Sequence, residues 1–202
     1  MRYRWETSRQ TENANTILTC CGAHLLDPMK KTEIHIEQGD VLEYLMPFIK
    51  GKVFHVSRVS NWQSIRVIGK ILPNKNGELK TSFGSSSNSY FKNKGCVSVF
   101  DYRNIHEEEP QEHMYKCSPT SPLTPEEGIV IFILKEKFYN KLVLWDGWKQ
   151  DDLRQMVVPH VEAGFPDAIE LSQIGEALFV TMDETESTCV FRILSTPVPS
   201  RS

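Results

Sequence analysis

A histidine and a serine stand two residues apart in the short apolar run Phe54-His55-Val56-Ser57-Arg58. Alternate side chains of an extended strand share a face, so His55 and Ser57 point the same way. Two polar groups on one face of an otherwise apolar strand suit a sugar hydroxyl or an amide. The plain alternative for His55 is a core imidazole with a satisfied hydrogen bond. Tyr90 follows the small residues Ser85-Ser86-Ser87-Asn88-Ser89. Such residues let a flat ligand approach the backbone, and a tyrosine ring can stack on it. Otherwise Tyr90 and Phe91 begin a helix and pack into the core. Three carboxylates come late in the chain: Glu162 after His160-Val161, Glu176 before Ala177-Leu178-Phe179-Val180, and Glu170. A carboxylate on an apolar strand is costly to bury without a partner or a task. An edge-strand carboxylate facing water is the ordinary alternative for each.

The elements that must carry these groups can be read from periodicity. Val41, Leu42, Tyr44, Leu45, Phe48 and Ile49 have helical spacing, with Asp40 placed to cap the start and Gly51 to end it. The strand Lys52–Arg58 follows. Trp62, Ile65 and Ile68 then fall on one helical face, with Ser60 or Asn61 as N-cap and a stop at Gly69 before Pro73-Asn74. Ile34-His35-Ile36-Glu37, Cys96–Phe100, Gly128–Lys135, Lys141–Trp145, Val157–Pro166, Glu176–Met182 and Thr188–Leu194 read as strands. The Gly128–Lys135 run is apolar enough for a buried central strand. Trp148–Met156 reads as a short helix and Leu171–Ile174 as a helical turn. Arg2 to Trp5 alternates like a short strand, and Ile17–Leu26 is apolar enough to pack on the domain. Residues 105–125, with Glu107-Glu108-Glu109 and four prolines, form the longest irregular stretch, a lid or a surface insertion. The expected fold is therefore α+β, a strand-rich core with few helices. Residues 1–50 read as an extension packed on or preceding the core, 51–195 as the core domain, and 196–202 as a frayed tail.

Composition excludes several classes. The chain has 202 residues, 40% of them apolar, and a net charge of −3, so it lacks the general basic surface that dominates nucleic-acid affinity. Five cysteines without a CxxC pair disfavour a zinc site and a disulfide framework, and point to reduced thiols in a cytosolic protein. The N-terminus lacks the apolar core of a signal peptide, and no apolar run is long enough to span a bilayer; the expectation is a soluble, cytoplasmic protein with no membrane partner. GxxxxGK[ST], GxGxxG, HExxH and GxSxG are all absent.

Phe54-His55-Val56-Ser57, Asn61-Trp62-Gln63-Ser64-Ile65 and Gly69-Lys70-Ile71-Leu72 together resemble the opening of the ADP-ribosyltransferase fold, a strand of the type His-x-Ser/Thr followed by a helix and a Gly-Leu. The RNA 2′-phosphotransferases, which share that fold, open similarly. Glu162-Ala163-Gly164-Phe165-Pro166-Asp167, with Leu171, Ile174 and Glu176, is similar to the end of the DarT-type toxins that ADP-ribosylate DNA. Ser85 to Tyr90 before Cys96–Phe100 looks like the small-residue and tyrosine segment of the poly-ADP-ribose polymerases. Glu176–Val180 equally resembles the polymerases' Asn-Glu-Tyr-Ile-Val. The matches are short and scattered over about Val53 to Val180.

The resemblance implies a split-sheet ADP-ribosyltransferase-like core that uses NAD as substrate and transfers ADP-ribose to a macromolecular acceptor, protein or nucleic acid, with release of nicotinamide. It implies His55 and Ser57 as NAD-binding residues, Tyr90 as the nicotinamide stacker and either Glu162 or Glu176 as the catalytic carboxylate, with no metal. A non-catalytic relative that keeps the pocket is the alternative. So is an RNA 2′-phosphotransferase, for which Arg58 and Arg66 are the nearby cations.

Overall fold

A computed structural model describes residues 29–183 except 38, 80, 84–86 and 152–153. The readings at Arg2–Trp5, Ile17–Leu26, Thr188–Leu194 and the tail lie outside the described residues, as do Ser85 and Ser86.

Among the described residues six strands form one mixed sheet. They are β1 (Lys30–Ile36), β2 (Val53–Arg58), β4 (Cys96–Asp101), β5 (Ile129–Leu134), β6 (Glu162–Pro166) and β8 (Ile174–Met182). Their order is β1-β8-β5-β2-β4-β6; β1 runs parallel to β8 and every other neighbouring pair is antiparallel. Two-residue strands β3 (Lys70–Ile71) and β7 (Ile169–Glu170) pair separately. β5 lies near the centre with all six residues buried, which is why it reads as an unbroken apolar run. Helices are few and short: α1 (Val41–Ile49), α2 (Trp62–Ile68), α3 (Tyr90–Asn93), α4 (Glu108–Met114) and α5 (Trp148–Asp151).

The two faces of β2 are covered by different helices. Phe54 and Val56 face the cluster that takes Leu45 and Ile49 of α1. Val53 faces the cluster that takes Trp62 and Ile65 of α2. Asp40 caps α1 as its sequence suggests, Oδ1 accepting from the Leu42 and Glu43 N–H groups at 2.9 and 3.2 Å. Gly69 ends α2 in the left-handed region, φ +79°, and donates its N–H to the Ile65 carbonyl. Residues 30–49, placed by sequence in the extension, supply the sheet's edge strand and the helix over one face.

Several local expectations change. Asn61 precedes α2 but makes no side-chain cap there; its amide turns back to Ser57 instead. The stretch 105–125 contains α4, despite Pro110. That proline occupies the third helical position, where an N–H would have no intrahelical acceptor, so it costs the helix nothing. Lys141–Trp145 is not a strand: a 3₁₀ turn runs from Glu136 to Lys141, and Val143 makes a single bridge to Gly164. The expected strand Val157–Pro166 shortens to β6, because His160 adopts φ +62° and turns the chain just before Glu162.

Candidate functional site

The site arises where the sheet comes apart. β2 and β4 pair at only two positions, Val53 with Asp101 and Phe54 with Phe100. Continued in the same register, Val56 would meet Ser98 and Arg58 would meet Cys96. Side chains take over those backbone groups instead. The His55 imidazole donates from Nδ1 to the Ser98 carbonyl at 2.9 Å, and the Arg58 N–H donates to Ser82 Oγ at 3.2 Å. An unpaired buried peptide group is expensive, so these two bonds are what make the parting tolerable. A cavity of about 560 Å³ opens beside them, within the usual size range of small-molecule sites.

Three of the residues singled out by sequence line this one cavity: His55, Ser57 and Glu162. A carbonyl can only accept, so the Ser98 contact places the His55 proton on Nδ1 and leaves Nε2 as an acceptor. Burial pulls the His55 pKa below its ordinary value, only partly offset by the Ser98 bond, so the ring is neutral at pH 7. Ser57 is 5% exposed, and its Oγ accepts from the Asn61 amide at 3.0 Å. Glu162 opens β6 opposite Phe100. Its Oε2 accepts from the Val158 N–H at 2.7 Å, while burial raises its pKa against that bond. Among the described residues it is the single carboxylate in the lining, whereas Lys70, Lys92 and Lys116 bring three cations. Cys117 also lines the cavity, and burial together with the Glu162 charge pushes its thiol up to about 12, which keeps it protonated and unreactive.

Two predicted site residues lie elsewhere. Tyr90 is 1% exposed and packs with Phe91 and Cys96 in a separate small cluster. Its hydroxyl donates to Asp151 Oδ2 at 2.6 Å, and Lys94 bridges to the same carboxylate at 2.8 Å. The ring has no face left on which a ligand can stack; the reading of Tyr90 as the stacker is corrected to a core tyrosine, and its neighbour Ser89 reaches the cavity instead. Glu176 sits on β8 beside β1 and is absent from the lining. Thr32 Oγ1 donates to it at 2.7 Å and Lys30 Nζ lies 2.8 Å away. Burial pulls its pKa up, but those two partners outweigh it and hold the carboxyl below the ordinary value. Glu170 is likewise structural: it forms a capping box with Gln173 at the start of a 3₁₀ turn.

Sequence reasoning read Asn61 as a cap and, with Lys70, as part of a motif, but did not single out Asn61, Ser98, Lys70, Lys92 or Lys116 as site residues. Ser98 carries the same signal that exposed His55 and Ser57, a polar residue inside an apolar strand. The lysines carry none, because they converge from three separated parts of the chain: Lys70 from β3, Lys92 from α3 and Lys116 from just past α4. Compared with protein family models, with curated proteins and with solved structures, the chain gives no significant match in any of the three.

Proposed function

We propose that this chain is an NAD-dependent ADP-ribosyltransferase that transfers ADP-ribose to a macromolecular acceptor and releases nicotinamide. The observation that carries the reading is the meeting of His55, Ser57 and Glu162 in one cavity, opened between strands that part after two residue pairs. The resemblance of the Phe54–Ser57 and Glu162–Asp167 stretches adds to it. A carboxamide, which both donates and accepts, suits the polar wall that His55, Ser57, Asn61 and Ser98 give the cavity. His55 Nε2 is an acceptor for a ribose hydroxyl. Glu162 keeps one oxygen on Val158 and offers the other to the ribose or to the acceptor.

The chemistry balances without a further reagent. The bond between ribose C1′ and the nicotinamide nitrogen breaks, and its electron pair leaves with neutral nicotinamide. Positive charge develops on the ribose, where the Glu162 carboxylate stabilises it. The acceptor nucleophile bonds to C1′, and its proton passes to Glu162, whose raised pKa suits it as a base.

RNA 2′-phosphate transfer to NAD is the second reading. It is favoured by Lys70, Lys92 and Lys116 in the lining, which supply cations where the sequence offered only Arg58 and Arg66. The test is incubation with NAD labelled in the adenosine moiety, with and without cell lysate and with a 2′-phosphorylated RNA, comparing wild type with Glu162→Gln. Nicotinamide release with label on macromolecules supports the transferase, and release only with the phosphorylated RNA supports the second reading. NAD binding by calorimetry without release identifies a non-catalytic relative, and no binding at all overturns all three.

A further inference from the structure

The approach to Glu162 is built around a backbone conformation that few residues adopt. His160 has φ +62°, one of two non-glycine residues in the left-handed region among those described. That conformation closes a turn in which Val158 and Glu162 bond to each other twice. The Glu162 N–H donates to the Val158 carbonyl at 3.0 Å, and the Val158 N–H donates to Glu162 Oε2 at 2.7 Å. Val158 and Glu162 line the cavity, while His160 does not.

The His160 ring is held from outside the site. It lies 4.3 Å from the Trp145 ring and stacks on His113 of α4 at 5.7 Å with the planes 13° apart. Its Nε2 is 3.6 Å from Glu109 Oε2, also on α4. Lys116 Nζ contacts His113 Nδ1 at 2.6 Å, and Lys116 itself faces the cavity. On the far side of the turn the Val161 carbonyl accepts from the Asp101 N–H at 2.7 Å, so Val161 is tied to the end of β4. The Trp145 and His113 rings therefore pack on His160 from outside the turn, while Val161 anchors its other end to β4.

We propose that His160 is a positioning residue for Glu162: its left-handed backbone folds the turn that presents the Val158 N–H to the carboxylate and aims the second carboxylate oxygen into the cavity. The inference rests on the reading of Glu162 as the reactive carboxylate, but its direct readout does not. Glycine adopts φ near +60° freely, whereas a β-branched residue strongly resists it. His160→Gly therefore keeps the turn and loses the ring, while His160→Val loses both.

The experiment follows the Val158 amide by NMR in the full-length, ligand-free chain as pH is varied. In wild type this amide tracks the titration of Glu162 through their hydrogen bond, and Glu162→Gln abolishes the response. His160→Val is expected to lose the response and to expose the amide to rapid hydrogen exchange; His160→Gly is expected to retain it. In the NAD assay His160→Val lowers kcat at least tenfold with little change in KM, and His160→Gly restores most of it. A response that persists in His160→Val, or that vanishes equally in His160→Gly, overturns the proposal. If wild type releases no nicotinamide while the amide response behaves as expected, the positioning role stands and the transferase reading falls. A folded amide spectrum for His160→Gly keeps the comparison decisive should His160→Val be unstable.

Discussion

Gly164 offers a sharp test of how the cavity wall is held. It sits in β6, two residues after Glu162, paired with Ser98 of β4 on one side and bridged to Val143 on the other through bonds of 2.8 and 2.9 Å. A Cβ at this position would lie 2.6 Å from Phe91 Cδ1, 2.9 Å from Cys96 Cβ and 3.1 Å from Cys96 Sγ. Phe91 is 1% exposed and Cys96 5%, so neither neighbour has space to yield, and the two flanking bonds stop Gly164 from backing away. Overpacking of a filled core costs about 1–3 kcal/mol. For a chain of this length each kcal/mol lowers Tm by roughly 2–4 °C, so Gly164→Ala should melt about 2–12 °C below wild type. Thermal and urea unfolding followed by circular dichroism measure it. Because the clash names its partner, Phe91→Leu combined with Gly164→Ala should lose less stability than the sum of the single changes, by about 0.5 kcal/mol or more. The same substitution should reduce nicotinamide release, since it pushes the strand that carries Glu162. A Gly164→Ala protein that melts with wild type, or two substitutions whose costs simply add, would refute the packing argument.

Glu162→Gln should cut nicotinamide release by about 10²–10³-fold while NAD binding persists, since it removes a preorganised charge and keeps the acceptor for Val158. The same variant should gain stability relative to wild type as pH rises. The folded Glu162 binds its proton more tightly than the unfolded chain, so wild type loses stability from the ordinary value of 4.5 up through the raised folded pKa, and Gln does not. His55 has the opposite sign: its folded pKa lies below the ordinary 6.5, so wild-type stability is full above 6.5 and falls as pH drops through the folded value. His55→Gln, which retains a donor for Ser98, should show a shallower decline of Tm below pH 6.5. Ser57→Ala strips the Asn61 amide of its acceptor and should cost about 0.5–1.5 kcal/mol, read from urea unfolding, and raise the KM for NAD. Tyr90→Phe and Glu176→Gln should lower Tm without changing nicotinamide release; loss of turnover in either would return that residue to the site.

The linear order of residues was enough to find the strand at its centre. Phe54, Val56 and the six residues of β5 must be buried, and the alternation around them placed His55 and Ser57 on one face whatever the rest of the chain did. The Asp40 cap and the Gly69 stop were legible for the same reason, since each is satisfied within a few residues. Tyr90 and Glu176 show the limit. Glu176 stood on an apolar strand like Glu162 and Tyr90 beside a run of small residues, but whether such a group meets a cavity or a partner depends on chain far away. Asp151 lies 61 positions from Tyr90, and Thr32 lies 144 from Glu176. The parting of β2 from β4 was equally invisible, because strand pairing is a property of two segments and its failure leaves no mark on either. Tertiary structure alone decided that His55 would reach across that gap to Ser98, and that Glu162 rather than Glu176 would face the space left open.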